Sequence, residues 1–174
     1  VQKQGHRMSH LIETLLLFTR MEQDTERYKK SKEDLTLLVR SACEDFRLIS
    51  QNGITIGEEF EEHVMGMVNP ELYLLLVNNL IQNAMRYGRE NGHILVRLRK
   101  EEDKSVLSVS DDGIGIDEDE LPHIWELFYR GDKARSTKGV GLGLPLVRQI
   151  VKFHNGSITV TSRKNEGSTF EVTI

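Results

Sequence analysis

A chain of 174 residues with 38% hydrophobic and 29% charged residues can bury a full core, as one domain or one domain with an appendage. Its net charge of −4 argues against general binding to nucleic acid or to anionic membranes, so any basic cluster has to be local. Cys43 is the single cysteine, which rules out an intrachain disulfide and fits a reducing compartment. No apolar run of about 18 residues exists, so nothing reads as a membrane-spanning helix, and no signal peptide is visible. Opening at Val1 and stopping on a strand-like segment, the chain is expected to be an excised fragment.

In chain order, residues 4 to about 30 read as one helix. Met8, Leu11, Leu15 and Phe18 recur at helical spacing, and Ile12 and Leu16 widen the stripe. That stripe either docks on the rest of the chain or faces a partner helix; the polar linker of residues 22–34 favours the partner. Leu35–Ser50 is a helix, with room for a short strand at its start. Cys43 lies among its apolar positions, between Arg40 and Arg47, and reads as a bland core thiol. Ile54–Phe60 and Val64–Val68 read as strands, and Pro70–Tyr87 as a helix with proline in its first turn. A strand pair follows, Ile94–Lys100 and Ser105–Ser110. Residues 111–142 are glycine-rich, charged and too long for a routine connection, so a functional loop is expected. Leu144–His154 is an amphipathic helix, and strands at Ser157–Ser162 and Thr169–Ile174 close the chain.

Three clusters carry chemistry. Gly139, Gly141 and Gly143 alternate just before a helix, where bare backbone N–H groups and the helix N-terminus favour an anion. The spacing matches neither GxxxxGK[ST] nor GxGxxG. Asn79, Asn83, Arg86 and Tyr87 fall within an arc of about 100° on the helix after Pro70, opposite Val77, Ile81, Ala84 and Met85. A carboxamide oxygen suits a Mg²⁺ that already carries phosphate oxygens and waters, although solvated asparagines would look the same in isolation. Asp111 ends a buried-looking strand and can accept from an exocyclic amine. Gly113 and Gly115 beside it admit a flat ring, but a plain Asp-Gly turn reads alike.

In chain order the segments are Asn79 to Tyr87, Asp111-Asp112-Gly113-Ile114-Gly115-Ile116, Ile124-Trp125-Glu126-Leu127-Phe128-Tyr129-Arg130-Gly131-Asp132 and Gly139-Val140-Gly141-Leu142-Gly143-Leu144. This series resembles the catalytic, ATP-binding domain of bacterial sensor histidine kinases, with its N box, two glycine boxes and F box. The domain is part of the superfamily that includes gyrase, mismatch-repair and heat-shock chaperone ATPases. The resemblance covers essentially residues 34–174. Residues 6–22 further resemble the second helix of that family's dimerisation hairpin. We accordingly expect residues 1–30 to be that helix plus linker, and residues 31–174 the catalytic ATP-binding domain.

The resemblance implies an α/β fold, a two-layer sandwich of a mixed sheet of about five strands and three helices, preceded by one long helix. It implies ATP and Mg²⁺ as cofactors and transfer of the γ-phosphoryl group to a histidine. Asn83 matches the Mg²⁺ ligand, Asn79 its supporting neighbour, Arg86 a phosphate-reaching cation and Tyr87 a pocket-lining ring. Asp111 matches the adenine-recognising aspartate, with Gly113, Gly115 and Ile116 at the adenine pocket. Gly139, Val140, Gly141, Leu142, Gly143 and Leu144 match the phosphate-binding box, in which Leu142 and Leu144 pack beneath the loop. Phe128 and Arg130 match the F box, next to a lid to which Lys133, Arg135 and Lys138 add positive charge. For Lys133 and Arg135, ordinary solvated charge explains the residues equally well. Catalytic roles fall to Asn79, Arg86 and Arg130.

Departures from the family pattern are Trp125 for phenylalanine, Asp112 for asparagine and Pro145 after the last glycine box, where the first helical turn tolerates it. The acceptor box, His-Glu-Leu-Arg-Thr-Pro-like in the family, is missing. His6 and His10 lie in segments that fit the second hairpin helix, and we expect a surface pair rather than a zinc site. The chain is therefore expected to bind Mg·ATP without phosphorylating itself. Partners implied are its own dimerisation and phosphotransfer domain, a response regulator and a second copy in a full-length homodimer, but no nucleic acid. The implied location is a cytoplasmic domain of a protein anchored in the bacterial inner membrane. Two rivals stay open: an ATPase or anti-sigma serine kinase of the same superfamily, and a degenerate adaptor that binds ATP without catalysis.

Overall fold

Segments that alternate in polarity pair into a five-stranded sheet, and the segments with 3.6-residue stripes pack against it. The computed structural model describes residues 2–23, 26–50, 52–131 and 139–174. Along the chain these form α1 (Gln2–Gln23), β1 (Ser31–Asp34), α2 (Leu35–Ile49), β2 (Thr55–Phe60), β3 (Met65–Val68) and α3 (Pro70–Tyr87). Next come β4 (His93–Glu101), β5 (Lys104–Asp111), α4 (Gly143–Phe153), β6 (Ser157–Arg163) and β7 (Gly167–Thr173). The sheet order is β2-β4-β5-β7-β6. Only β2 and β4 run parallel, and α3 lies in the crossover between them. The expected mixed sheet with three helices is present.

Two helices, α2 and α3, start at side-chain caps. The Asp34 carboxylate accepts from the Leu37 N–H at 3.3 Å at the head of α2, and the Asn69 carboxamide accepts from the Leu72 N–H at 3.0 Å at the head of α3. Pro70 takes the first turn of α3, where its missing N–H costs nothing. The buried face of α3 carries Leu72, Tyr73, Leu76, Val77, Leu80, Ile81 and Ala84. It is the middle helix, flanked by α2 and α4 and seated on β5, so its opposite polar face is presented toward the loops at the end of that strand. Cys43 is fully buried on α2, and burial pushes its thiol up to about 12, which makes it inert core filling.

Tyr73 is 1% exposed, and its hydroxyl has no hydrogen-bond partner among the described residues. Tyr73→Phe removes an unmet polar group without opening a large cavity. It should stabilise the fold by about 1 kcal/mol, read as a rise of about 2–4 °C in Tm by thermal unfolding.

Two expectations change at the N-terminal end. The long helix stops at Gln23 rather than near residue 30, and residues 31–34 pair antiparallel with β3 as a separate two-stranded sheet. The apolar stripe of α1 was expected to face a partner helix, and part of it docks instead. Thr14 and Met21 are buried, Leu17 and Phe18 pack against the core, and α1 runs beside α4. Met8, Ile12 and Leu16 remain exposed. The docked arc is thus rotated from the one that the leucine spacing emphasises, because Met21 and Thr14 complete it.

The segment after α1 is tied to the helical layer. The Asn69 side-chain amide donates to the Lys29 carbonyl at 3.0 Å, and the Asn69 backbone N–H donates to His154 Nε2 at 3.0 Å. His154 Nδ1 in turn faces the Ile150 carbonyl at 2.8 Å, so that nitrogen carries the proton. Burial lowers the His154 pKa and favours this neutral form. Tyr28 meets the Phe153 ring edge-on at 6.3 Å, and the Lys30 ammonium sits 5.1 Å from its centroid.

Candidate functional site

A cavity of about 380 Å³ opens where the polar face of α3, the end of β5 and the start of α4 converge. Asn79, Asn83, Arg86 and Tyr87 line it from α3, as their shared arc predicts. Asp111, Gly115 and Ile116 line it from β5 and the following loop. Gly139 to Leu144 and Arg130 complete the lining.

At the β5 end, Asp111 is largely withdrawn from water. Burial raises its carboxyl to about 6, against the lowering effect of the Gly113 and Ser168 backbone N–H groups. The Gly113 N–H donates to Asp111 Oδ1 at 2.9 Å, which leaves acceptor capacity on the carboxylate for a ligand N–H. The loop that follows is pinned on both sides. The Ile114 N–H donates to the Tyr87 carbonyl at 3.0 Å, and the Ile116 N–H donates to Ser162 Oγ at 2.8 Å. Gly115 sits at φ +66°, with the Lys164 backbone 3.1 Å from where a Cβ would stand, so neither conformation nor space admits a side chain. Asp112 faces away and accepts from the His93 N–H at 3.0 Å, a structural task.

At the α4 end, the glycine loop is held as bare backbone. Gly141 has φ +76°, and a Cβ there would lie 2.6 Å from the Tyr129 carbonyl oxygen. The Phe128 N–H donates to the Gly141 carbonyl at 3.0 Å, so the F-box segment clamps the loop. A Cβ at Gly139 would lie 2.6 Å from Arg86 Nη1, which places that guanidinium against the loop backbone. Asn79 donates its amide to the Leu75 carbonyl at 2.8 Å, and its oxygen would stand 3.1 Å from a Cβ at Gly143. Leu142 is buried and Leu144 packs on the core, so both anchor the loop from below.

Two predicted site residues act from behind the wall. Gly113 and Phe128 do not line the cavity; Gly113 fixes Asp111, and Phe128 fixes Gly141. Phe128 has φ +65° and is half exposed, a strained setting for a bulky residue that the clamp enforces. Lys138, with Asp132, Lys133 and Arg135, lies outside the described residues. Trp125 packs edge-on against Phe170 at 6.1 Å and serves the core.

Residues 68–174 match the family of histidine kinase-, DNA gyrase B- and HSP90-like ATPases. The chain belongs to that family. Its relatives specify the branch: it is an ATP-binding catalytic domain of the sensor histidine kinase type. Over 176 residues it is 37% identical to the sensor histidine kinase RppB of Synechocystis sp., covering 99% of this chain and 39% of RppB. The solved catalytic domain of the histidine kinase ThkA shares 28% identity at a TM-score of 0.74, covering 84% of this chain and 97% of that one. Full-length ShkA, solved in complex with AMPPNP, shares the fold at a TM-score of 0.84 and 22% identity, over 98% of this chain and 36% of ShkA. The chain thus spans 39% of the length of RppB and 30% of that of the next relative, YvrG of Bacillus subtilis.

This histidine-kinase-type domain has cavity residues that the sequence did not disclose. Arg7, His10, Leu11 and Thr14 of α1 line the same cavity, although His10 was expected to be a plain surface residue. Their helical spacing was visible, but nothing in the sequence told that this arc faces the glycine loop. Gln82 and Ile124 also line it. At the rim, the Lys164 ammonium pairs with Asp117 at 2.9 Å. Among the described residues, no helix is long and apolar enough to cross a membrane.

Proposed function

We propose that this chain binds Mg·ATP and acts as the phosphoryl donor of a two-component sensor histidine kinase. The reading rests above all on one observation: a half-buried acceptor at Asp111, the bare-backbone loop at 139–143 and the carboxamides of α3 line a single cavity. Adenine fits the Asp111 end, where its exocyclic amine donates to the carboxylate over Gly115 and Ile116. The phosphates fit the other end, where a side chain on Gly139 or Gly141 would collide and backbone N–H groups at the head of α4 favour anions. The donor set also suits a hard cation. Asn83 offers a neutral oxygen on the phosphate side, and Mg²⁺ held there would supply charge neutralisation.

The chain's own groups then have distinct tasks. Arg86, braced against Gly139, and Arg130 offset phosphate charge. Asn79, locked by its bond to Leu75, keeps its oxygen on the loop and supports Asn83. It also puts a neutral amide where hydrolytic members of the superfamily carry a water-activating glutamate, which favours a kinase over an ATPase. Holding the nucleotide in one geometry is the main contribution to rate.

The recipient is a histidine of the protein's own dimerisation and phosphotransfer domain, to which residues 1–30 contribute the second hairpin helix. In the full-length homodimer the γ-phosphoryl group passes to an imidazole nitrogen, ADP leaves, and a response regulator takes the group onward. The full-length protein is anchored in the bacterial inner membrane with this part in the cytoplasm. These 174 residues hold no acceptor box, so incubation with γ-labelled ATP and Mg²⁺ should leave the chain unlabelled. A separately supplied family hairpin should become labelled slowly, because tethering is lost. Label on the chain itself, or steady phosphate release without a hairpin, would sink this reading.

A further inference from the structure

We propose that Arg7 and His10 of α1 close the phosphate end of the cavity and read the γ-phosphate, so that the chain distinguishes ATP from ADP through its first helix. This inference rests on the Mg·ATP reading above. Positions 10, 11 and 14 lie three, four and seven residues after position 7, on one helical face, and all four line the cavity together. On that arc Thr14 is buried, with its hydroxyl turned back to the His10 carbonyl at 2.8 Å. The groups left to meet a polar ligand are therefore the Arg7 guanidinium and the His10 imidazole.

Their position selects which part of the nucleotide they meet. Asp111 and Ile116 stand at the head of the loop after β5, whereas α1 lies beside α4, whose first residues continue the glycine loop. A nucleotide with its base on Asp111 extends its phosphates along Gly139–Gly143 toward α1. The last phosphate is the part that reaches Arg7 and His10, and ADP lacks it. Arg7 carries a permanent charge in a fork suited to phosphate oxygens. The helix is also anchored well away from the cavity, by Met21 in the core and by the tie from Lys29 through Asn69 to His154. Contact at the γ-phosphate then links nucleotide state to α1 docking, and the link is reciprocal: ATP must hold α1 on the domain more firmly than ADP does.

The test is calorimetric titration of ATP and of ADP, with Mg²⁺, into the whole chain and its Arg7→Ala, His10→Ala and Arg20→Ala variants. Arg20 lies on the same helix outside the cavity and controls for net charge. Arg7→Ala should weaken ATP about tenfold and leave ADP within about twofold, His10→Ala should act in the same sense but less, and Arg20→Ala should change neither. In the unaltered chain, amide exchange over residues 7–18 should be slower with ATP than with ADP. Equal losses for both nucleotides, no loss at Arg7, or the same loss at Arg20 would each overturn the proposal while leaving the Mg·ATP reading standing. Failure of the unaltered chain to bind either nucleotide would overturn both.

Discussion

Asp111→Ala should weaken ATP binding by about 100-fold. The carboxylate is largely buried, already receives the Gly113 and Ser168 N–H groups, and keeps acceptor capacity toward the cavity. Removing it leaves an adenine amine facing a space with no acceptor. The protonation of Asp111 gives the same idea a second signature. Burial holds the carboxyl at about 6, and the ionised form accepts from the amine more strongly than the neutral acid does. Affinity should therefore approach its full value well above pH 6 and fall as pH drops through it. The sign for folding is opposite. Because the folded pKa lies above the ordinary carboxylate value, ionising Asp111 costs stability, and that cost appears as pH rises from 3.8 to about 6. Asp111→Asn keeps an acceptor oxygen but does not titrate, so its binding should lose the Asp111 step and keep only the pH dependence that ATP's own protonation supplies. Equilibrium titrations from pH 5 to 8 check all three statements.

Asn83→Ala should abolish the gain in ATP affinity that Mg²⁺ confers, and should slow transfer to a supplied hairpin by about 100- to 1000-fold. Asn83 is half buried on the polar face of α3, one turn from Asn79, and faces the same cavity as Arg86. Truncation leaves the buried face of that helix untouched, so the melting temperature should change little. The comparison that isolates the effect is ATP affinity with Mg²⁺ against affinity with a chelator, in the unaltered chain and in Asn83→Ala. A ratio near one in the variant, and well above one in the unaltered chain, is the expected pattern.

The fold was readable in the sequence wherever pattern and punctuation agreed. Asn69-Pro70 and Gly88 bracket α3, and its bounds match the expectation to the residue. Strand β4 alternates in burial, β5 is buried along most of its length, and around their tight turn each extended only by a residue at each end. The glycine loop, Asp111 and the α3 arc were legible because each motif needs an unusual residue type at a fixed spacing, and the fold brings all three to one cavity. What escaped was long-range. Ser31–Asp34 has no strand composition, and it is held extended by pairing with β3. The arc of α1 that docks contains Thr14, a residue that apolar counting skips, so the side facing the cavity was missed together with Arg7 and His10. Gly113 and Phe128 shape the site through backbone bonds, a role that residue identity does not distinguish from direct contact.

The most direct test of the central claim is a calorimetric titration of ATP into this chain with and without Mg²⁺ at pH 7.5. One saturable site, tighter with Mg²⁺ than without it, is the expected result. No saturable binding in either condition would contradict the claim and leave the glycine loop, Asp111 and Asn83 without the ligand that explains their convergence.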